Sequence, residues 1–354
     1  MALATEVAVI GAGPAGSTAA LTLARHGIDT VLIEASTFGS FRIGETFAPE
    51  IADTLAPLGV LPRLETVRID SYGVRSVWGD PEPQERSHLC HPRRVGWHVD
   101  RTAFDQALAQ TASDAGAMLL TGTRFKSVER EGGRWRLTLQ GQTDLLHAEQ
   151  IIDATGRRAA LSRRVGARRT EGDMLVATAF HFQDIALHDH GAYTLIETGP
   201  DGWWYSAPIP GGRAVAMHFS ALEVAGRAVA RMPTNAQAAL TADRHADRSP
   251  VAMTRHAAGS SWLEANYGAG WIAVGDAAMT VDPMSGDGVE RAVRSGREGA
   301  EALLLDRRIN GKAVESWAAE TRLRFERYAR MRAEFYRAET RWADRPFWRW
   351  AHNL

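Results

Sequence analysis

The chain has 354 residues, of which 45% are hydrophobic and 23% are charged, so it is long enough for two domains or for one elaborated α/β domain. Its formal net charge of -1 at pH 7 gives no reason to expect a nucleic-acid partner, and the single cysteine, Cys90, excludes an internal disulfide and a thiolate metal cluster. We expect no metal site, and the absence of a basic leader and of an apolar run of about 18 residues predicts a cytoplasmic protein without a membrane span.

The first 34 residues follow the pattern strand, glycine loop, helix, strand. An apolar run over 6–10 precedes the loop GAGPAG at 11–16, and a second apolar run leads to an acidic residue at 34. In a GxGxxG loop the first glycine permits a tight turn, the second lets the backbone approach a pyrophosphate, and the third lets the helix pack closely on the strand. The acidic residue would bind the adenosine ribose. This segment predicts a dinucleotide site without separating NAD from FAD. The expected cofactor contacts are Gly11, Gly13, Ala15, Gly16, Glu34 and Ala35.

The middle of the chain is rich in strand patterns, and the end is helical. From about 313 the tail is predicted to be one long helix, with Phe325, Tyr328, Met331, Phe335 and Trp342 in rough heptad register. The elements predicted before it are a helix over 101–116, several strands within 117–152, a strand-rich region over 174–220, a helix over 234–247, strands over 251–256 and 270–274, and a helix over 287–305.

Residues 270–296, GWIAVGDAAMTVDPMSGDGVERAVRSG, favour FAD over NAD. A strand leads into a turn where Asp276 can hydrogen-bond the ribityl chain of a flavin. Gly286 and Gly288 would let the backbone approach the isoalloxazine ring, and the helix that follows, with Val289 in its first turn, points its positive end at the flavin N1/C2 carbonyl. A plain nicotinamide dehydrogenase has no use for such a segment.

The predicted fold class is α/β, with a Rossmann-type FAD-binding domain interleaved with a β-sheet substrate domain and followed by a C-terminal helical segment. Pieces of the nucleotide-binding domain stand at three separated places in the chain, and the β-rich segments fall between them. The predicted boundaries are 1–69, 101–169 and 262–310 for the FAD-binding domain, 70–100 and 170–261 for the substrate domain, and 311–354 for the helical tail.

With these motifs the sequence resembles the FAD-dependent monooxygenases of the para-hydroxybenzoate hydroxylase type, together with the tryptophan-halogenase and geranylgeranyl-reductase branches. The marks are the glycine loop, the turn DATG that ends at Gly156, and the segment around Asp276. The resemblance implies that Arg101, in VDRTAFD, contacts FAD and that Val128 lies beside the adenine. Arg42, in RIGETFAP, is expected at the same cofactor.

The segments RIGETFAP, GWHVDR, GWWYSAPIP and WADRPFW look most like the flavoproteins that mature glycine and lysine oxidases. This likeness implies hydroxylation of an aromatic, indole or tryptophan-like substrate through a flavin C4a-hydroperoxide, with O2 as co-substrate. The substrate is expected to be a small aromatic molecule or a tryptophan of a partner protein. Electrons are expected from NAD(P)H or from a partner flavin reductase, because there is no second GxGxxG.

Three alternatives stay open. A flavin-dependent halogenase resembles the chain around Gly44-Glu45, but that branch needs a lysine some thirty residues later, and the lysines here are Lys126 and Lys312. Residues 205–210, YSAPIP, also depart from the halogenase pattern WxWxIP. A prenyl-type flavin reductase and a maturation factor that binds FAD without catalysis are the other two.

Candidate catalytic residues follow from side-chain chemistry and from the resemblance. Glu45 ranks first as a base because the resemblance puts its loop beside the flavin. His98 is favoured among the other polar candidates, Asp100 and His218, because an ordinary histidine titrates near neutral pH. Pro283 and Met284 would form an apolar wall at the flavin edge. The predicted substrate contacts are Trp203, Trp204, Tyr205 and His218, with Trp203 and Tyr205 on one face of a strand and Trp204 on the other.

Overall fold

The computed structural model describes residues 3–185, 192–225, 231–246, 248–306 and 311–354. The strands are β1 (Leu3–Ile10), β2 (Thr30–Ile33), β3 (Thr46–Phe47), β4 (Arg68–Ser71), β5 (Gly73–Val77), β6 (Gln84–Ser87), β7 (Gly96–Val99), β8 (Met118–Leu120), β9 (Arg124–Glu131), β10 (Arg134–Gln140), β11 (Leu145–Asp153), β12 (Arg169–Glu171), β13 (Leu175–Phe182), β14 (Tyr193–Gly199), β15 (Gly202–Ile209), β16 (Arg213–Ala221), β17 (Ala252–Ala257), β18 (Ser261–Leu263), β19 (Tyr267–Gly268), β20 (Trp271–Ala273) and β21 (Met279–Thr280).

The helices are α1 (Pro14–Arg25), α2 (Ile51–Leu55), α3 (Leu61–Leu64), α4 (Arg101–Asp114), α5 (Ala160–Arg164), α6 (Leu222–Ala225), α7 (Ala239–Arg244), α8 (Gly288–Asp306), α9 (Lys312–Arg337) and α10 (Pro346–His352). Short 3-10 turns occur at Ala56–Leu58, His88–Cys90, Gly156–Arg158, Gly275–Ala277 and Pro283–Ser285. No helix in these ranges is both long and apolar enough to cross a membrane.

The first sheet has eight strands and contains the predicted nucleotide-binding strands. Its main path runs β19-β20-β11-β1-β2-β8, with β9 and β10 attached to β11 as an antiparallel meander. Strands β20, β11, β1, β2 and β8 are parallel, so their carboxyl ends meet at one edge. The glycine loop follows β1 at that edge, Glu34 follows β2, and Ala154 follows β11. Helices α1, α4 and α8 cover one face of this sheet and form its largest apolar core.

The second sheet has seven strands in the order β17-β13-β16-β15-β14-β5-β6, and its pairs are antiparallel except β14 with β5. One of its faces packs against the C-terminal segment through Trp203, Phe219, Tyr336, Phe347 and Trp348. A small sheet β3-β7-β4 stands between the two large ones. The mixture of parallel and antiparallel sheets with helices confirms the predicted α/β class, while the exact domain boundaries stay a prediction.

Two predicted helices differ from the structure. The region 234–247 forms a helix only over Ala239–Arg244, and residue 247 lies outside the described ranges. The tail helix α9 ends at Arg337, and its heptad register is wrong, since Met331 and Phe335 are 64% and 53% exposed. The buried face of α9 is set by what lies against it, and it includes the polar residues Arg332 and Tyr336. Sequence periodicity does not reveal which polar groups a partner surface will accept.

Candidate functional site

The glycine loop connects β1 to α1 and packs tightly on two of its three glycines. Gly11 has a φ of 105°, and a Cβ there would overlap the carbonyl oxygen of Ala154. A Cβ at Gly16 would overlap the carbonyl oxygen of Gly11. A Cβ at Gly13, in contrast, meets nothing within 4 Å. The open face at Gly13 therefore leaves the start of α1, with its free N–H groups, accessible to an anionic group such as a pyrophosphate.

Glu34 closes the loop from the end of β2. Its Oε2 accepts a hydrogen bond of 2.9 Å from the main-chain N–H of Ala12, and its Oε1 accepts one of 3.0 Å from the N–H of Ser36. Arg42 donates to the same Oε1 at 3.2 Å. Glu34 is buried, with Ala35 exposed beside it. The carboxylate thus stands at the predicted ribose side of the loop with its charge already balanced.

Two arginines share one buried carboxylate next to this point. Asp105 accepts hydrogen bonds from Arg42 at 2.7 Å and from Arg101 at 3.1 Å. Burial lowers the pKa of Arg42, but Asp105 and Glu34 outweigh that effect and raise it overall. Through this shared carboxylate, Arg42 and Arg101 hold the loop that carries residues 42–45 against α4.

The conformation of Gly44 presents Glu45 to the interior. Arg101 donates from Nη1 to the carbonyl oxygen of Ile43 at 2.7 Å, and a Cβ on Gly44 would stand 2.5 Å from that same Nη1. Gly44 has a φ of 100°, so a side chain there is strained as well as crowded. Val289, in the first turn of α8, lies on the other side, with its Cγ2 3.9 Å from the same Cβ position. The loop is thus fixed between α4 and α8.

The carboxyl group of Glu45 lies in an unusual environment for a titratable group. Its side chain is completely buried, and neither carboxylate oxygen has a hydrogen-bond partner within the described part of the chain. Burial raises its pKa from 4.5 to about 7, although the nearby main-chain N–H groups of Gly44 and Glu45, too poorly placed for hydrogen bonds, and the Arg101 charge lower it in part. A carboxyl group in this state exchanges a proton near neutral pH and is free to bind a polar group that enters the site.

A hydroxyl cluster lies next to Glu45. Thr46 Oγ1 shares hydrogen bonds with Tyr205 Oη at 2.6 Å, with His98 Nδ1 at 3.0 Å and with Thr194 Oγ1 at 3.1 Å. Strand pairing explains the meeting, because β3 and β7 set Thr46 opposite His98. The cluster brings two of the predicted site residues, His98 and Tyr205, to the residue after Glu45.

The expectation that His98 titrates near neutral pH is wrong. Burial lowers its pKa to about 3, so the ring is neutral at physiological pH and cannot serve as a base of ordinary histidine strength. Its Nε2 is buried without a hydrogen-bond partner among the described residues. His98 stays a predicted site residue, with hydrogen bonding as its role. The other candidate, Asp100, caps α4 and pairs with Arg213 at 2.6 Å.

The aromatic residues of β15 separate by face, as the alternation predicts. Trp203 is 1% exposed and stacks on Phe219, with ring centroids 3.9 Å apart. Trp204 lies on the opposite face and stacks on His218 at 4.6 Å, and burial lowers the pKa of that histidine to about 4. Of the four predicted substrate contacts, only Tyr205 contacts the hydroxyl cluster around Thr46. Trp203, Trp204 and His218 stay predicted substrate contacts, but this packing gives them no support.

The second cofactor segment packs on the glycine loop. A Cβ on Gly275 would stand 2.6 Å from the Cβ of Ala15, so the turn 275–277 lies directly on α1. Asp276 is partly exposed and lies 3.8 Å from both Arg157 and Arg291. Beyond it the loop is open. Pro283, Gly286 and Gly288 are exposed, and a Cβ on Gly286 would meet nothing within 4 Å.

Two further predicted contacts lie at the margins of this region. Gly156 has a φ of 66° and opens the turn that carries Arg157 towards Asp276. Val128 is half-buried on β9 and packs against the core on the meander side of the first sheet. Both stay predictions of cofactor contact.

The residues present fit FAD. Open faces stand at Gly13 and at Gly286, at the starts of α1 and α8, where a pyrophosphate and a flavin ring need close backbone approach. The carboxylate of Glu34 would supply an acceptor at the predicted ribose side, and that of Asp276 would supply one for the ribityl chain. The main-chain N–H groups at the two helix starts and these two carboxylates are the kinds of group that a dinucleotide carrying a flavin requires.

Sequence reasoning missed the polar residues that support the site. Asp105 was detectable, since it lies four residues after Arg101 on a helix and such pairs meet. Thr46 directly follows Glu45, but its three hydrogen bonds depend on strand pairing across the chain. The side chains of α9 that bind the Asp282 carboxylate, Arg332 and Tyr336, lie fifty residues or more away in the sequence.

Comparison with known proteins agrees with this geometry. The model of the FAD binding domain family matches residues 4–338. The putative FAD-dependent oxidoreductase LodB of Marinomonas mediterranea is 27% identical over 98% of this chain and 96% of its own. A digeranylgeranylglycerophospholipid reductase of Methanocaldococcus jannaschii is 26% identical over 91% of this chain and 81% of its own.

Solved structures share the fold. The flavin-dependent halogenase CmlS superposes with a TM-score of 0.82 at 25% identity, over 98% of this chain and 67% of its own. QhpG, a peptidyl tryptophan dihydroxylase essential for tryptophylquinone cofactor biogenesis, superposes with a TM-score of 0.78 at 24% identity, over 98% of this chain and 78% of its own. The chain belongs to the FAD binding domain family and is an FAD-dependent oxidoreductase.

Proposed function

We propose that this oxidoreductase is a monooxygenase that hydroxylates an aromatic substrate of the indole or tryptophan class, either free or carried by a partner protein. FAD, held by the glycine loop, Glu34, Asp276 and the loop 283–288, supplies the activation of O2 when it is reduced and bound. The observation that carries the proposal is the buried, unpartnered carboxyl group of Glu45.

Glu45 would act as the base. With a pKa of about 7, it is partly ionised at neutral pH and can accept a hydrogen bond from the N–H of an indole ring, and then its proton as the ring attacks the oxygen atom. Withdrawal of that proton leaves electron density on the ring, which favours attack on an electrophilic oxygen atom. Arg101 and Gly44 fix the position of the carboxylate relative to α8, so the proton is removed at a defined point.

Tyr205, Thr46 and His98 would orient the substrate beside Glu45. Burial raises the pKa of Tyr205 well above 10, with the Glu45 charge adding to the effect, so the hydroxyl stays neutral. Thr46 holds that hydroxyl at 2.6 Å. The unpartnered Nε2 of His98 offers one further hydrogen bond in an otherwise dry environment.

The likeness to QhpG supports an oxygenation reaction and does not identify the substrate. The name of QhpG describes a dihydroxylase of peptidyl tryptophan, and this motivates the choice of tryptophan as a probe. Halogenase relatives keep halogenation as the second candidate. Against it stand the positions of the two lysines, since Lys126 lies in the meander strand β9 and Lys312 begins α9. Neither lies in the loops or strands around Glu45.

The test supplies free L-tryptophan, indole and a short tryptophan-containing peptide to the reduced holoenzyme in the presence of O2. We expect oxygen consumption that depends on one of these probes and a product that is heavier by oxygen. Brominated or chlorinated product in the presence of halide would replace the proposal with halogenation, and saturation of an isoprenoid double bond would replace it with reduction. Oxygen uptake that no probe changes would argue for FAD as a structural group.

We also propose that the electrons come from NAD(P)H or from a partner flavin reductase. Anaerobic mixing of the holoenzyme with NADH or NADPH distinguishes the two. Bleaching of the flavin absorbance by either nucleotide assigns it as the donor, while an unchanged spectrum with both assigns the role to a partner reductase.

A further inference from the structure

A buried carboxylate stands directly before the loop 283–288. Asp282 is completely buried, and its Oδ1 caps the turn Pro283–Ser285 by accepting a hydrogen bond of 2.9 Å from the N–H of Met284. Its Oδ2 accepts hydrogen bonds from two side chains of α9, Arg332 Nε at 3.1 Å and Tyr336 Oη at 2.7 Å. Helix α9 therefore holds the start of this loop through the carboxylate of Asp282.

Tyr336 connects three parts of the fold. Its hydroxyl donates to Asp282 and accepts a hydrogen bond of 3.0 Å from the indole N–H of Trp203 on β15. Burial raises the pKa of Tyr336 well above 10, so the hydroxyl keeps its proton and remains a donor. One phenol thus joins the loop, the helix and the second sheet.

Two further contacts complete the attachment of the loop to α9. The main-chain N–H of Asp282 donates to Tyr328 Oη at 2.8 Å, and Arg332 Nη2 lies 3.5 Å from Asp173. Tyr328, Arg332 and Tyr336 are spaced by four residues, so they share one face of the helix. That face is turned to the loop.

Stability alone is a weak explanation for this arrangement. A buried ion pair costs much of its attraction in desolvation, and well-packed apolar residues of similar size stabilise a fold equally well. The loop that Asp282 begins is in contrast exposed, and at Gly286 it has a φ of 68° with open space where a Cβ would stand. The hydrogen bonds of Ser285 and Gly286 stay within this loop and its flanking residue Asp282, so a buried anchor is needed to fix the loop on the rest of the fold.

We propose that Tyr336 and Arg332 are positioning residues which, through Asp282, hold the Pro283–Gly288 loop in the conformation that receives FAD. The inference rests on the cofactor contact proposed for this loop and is independent of the substrate and of hydroxylation. Loss of either side chain frees the loop, so that FAD binding must then order it.

The test compares Tyr336→Phe and Arg332→Met with Arg324→Met. Arg324 lies on the same helix and pairs with Glu298 of α8 at 2.6 Å, so its loss disturbs an interhelical ion pair without touching Asp282. Each holoenzyme is diluted in steps, the released FAD is followed by its fluorescence, and thermal unfolding is recorded in parallel. Tyr336→Phe removes one oxygen atom and keeps the ring, so it still tests the inference if Arg332→Met fails to fold.

We expect the FAD dissociation constant to rise about tenfold in Tyr336→Phe and at least as much in Arg332→Met, with a shift of the flavin absorption band. Arg324→Met should stay within about twofold of the parent, even where its unfolding temperature falls. Equal FAD affinity in Tyr336→Phe and the parent would overturn the inference. It would also be overturned if, in all three variants, the loss of FAD affinity followed the fall in unfolding temperature. Because no readout depends on turnover, this result stands apart from the outcome for the proposed reaction.

Discussion

Replacement of Glu45 by glutamine changes one buried ionisable group into a neutral one of the same shape. In the parent protein, burial raises the pKa of Glu45 from 4.5 to about 7. Below pH 4.5 the carboxyl is protonated in the folded and unfolded states alike, and folding pays nothing for its charge. As the pH rises through the window between 4.5 and about 7, the unfolded chain loses this proton while the folded protein keeps it, so the folded state loses stability.

The magnitude follows from the size of the shift. A shift from 4.5 to about 7 corresponds to about 3 kcal/mol of destabilisation above pH 7, at 1.36 kcal/mol for each pKa unit. Glutamine does not titrate, so the free energy of unfolding of Glu45→Gln should gain about 3 kcal/mol relative to the parent between pH 4.5 and pH 8. The cost of burying the amide itself is independent of pH and cancels in this comparison.

Urea unfolding followed by tryptophan fluorescence at the two pH values measures the effect. The matched control is Glu65→Gln, which removes a carboxylate that is exposed after α3 and should change the stability equally at both pH values. Turnover should fall by about 100-fold or more in Glu45→Gln, because general-base catalysis contributes at least that much. FAD should stay bound. If the difference in unfolding free energy between Glu45→Gln and the parent did not change with pH, Glu45 would not be a buried, unpaired carboxylate. Unchanged turnover in Glu45→Gln would refute its role as the base.

Gly13→Ala should fold normally and weaken FAD binding, because its Cβ enters the open space at the start of α1. Gly16→Ala should reduce the yield of folded protein, because its Cβ overlaps the main chain. Flavin content and expression yield measure both effects, and tight FAD binding by Gly13→Ala would contradict the placement of FAD at this loop. Tyr205→Phe should lower kcat/KM, with a loss of about 1 kcal/mol from the missing hydrogen bond. Trp204→Phe, on the other face of the sheet, should change kcat/KM little. Steady-state kinetics with the identified probe measure both variants, and a larger effect of Trp204→Phe would show that the Trp204 face contacts the substrate. Gly44→Ala should lower thermal stability and turnover together, because its Cβ stands 2.5 Å from a guanidinium nitrogen; a normal unfolding temperature would contradict the crowding.

Local patterns were sufficient for the cofactor and for the parallel sheet. Gly11, Gly16 and Glu34 lie within 24 residues of one another, and each residue type has a steric or hydrogen-bonding reason that the chain order already contains. The alternation along β15 likewise assigned Trp203 and Tyr205 to one face and Trp204 to the other.

Long-range packing decided what the sequence could not reveal. Glu45 is buried without a hydrogen-bond partner among the described residues, and no neighbouring residue in the sequence signals that burial. Burial, which the sequence does not signal either, lowers the pKa of His98 to about 3. The hydrogen bond from Tyr336 to Asp282 joins residues 54 positions apart and turns a polar side chain of α9 inwards, which is why the apolar heptad pattern gave the wrong face.

The most direct test of the central claim is turnover under isotopically heavy oxygen gas, with mass spectrometry of the aromatic product from the parent and from Glu45→Gln. The account predicts that the parent places heavy oxygen on the ring and that Glu45→Gln, with FAD bound, forms little of that product. A product whose added atom is a halogen, an added oxygen without the heavy label, or equal labelling by the two proteins would contradict it.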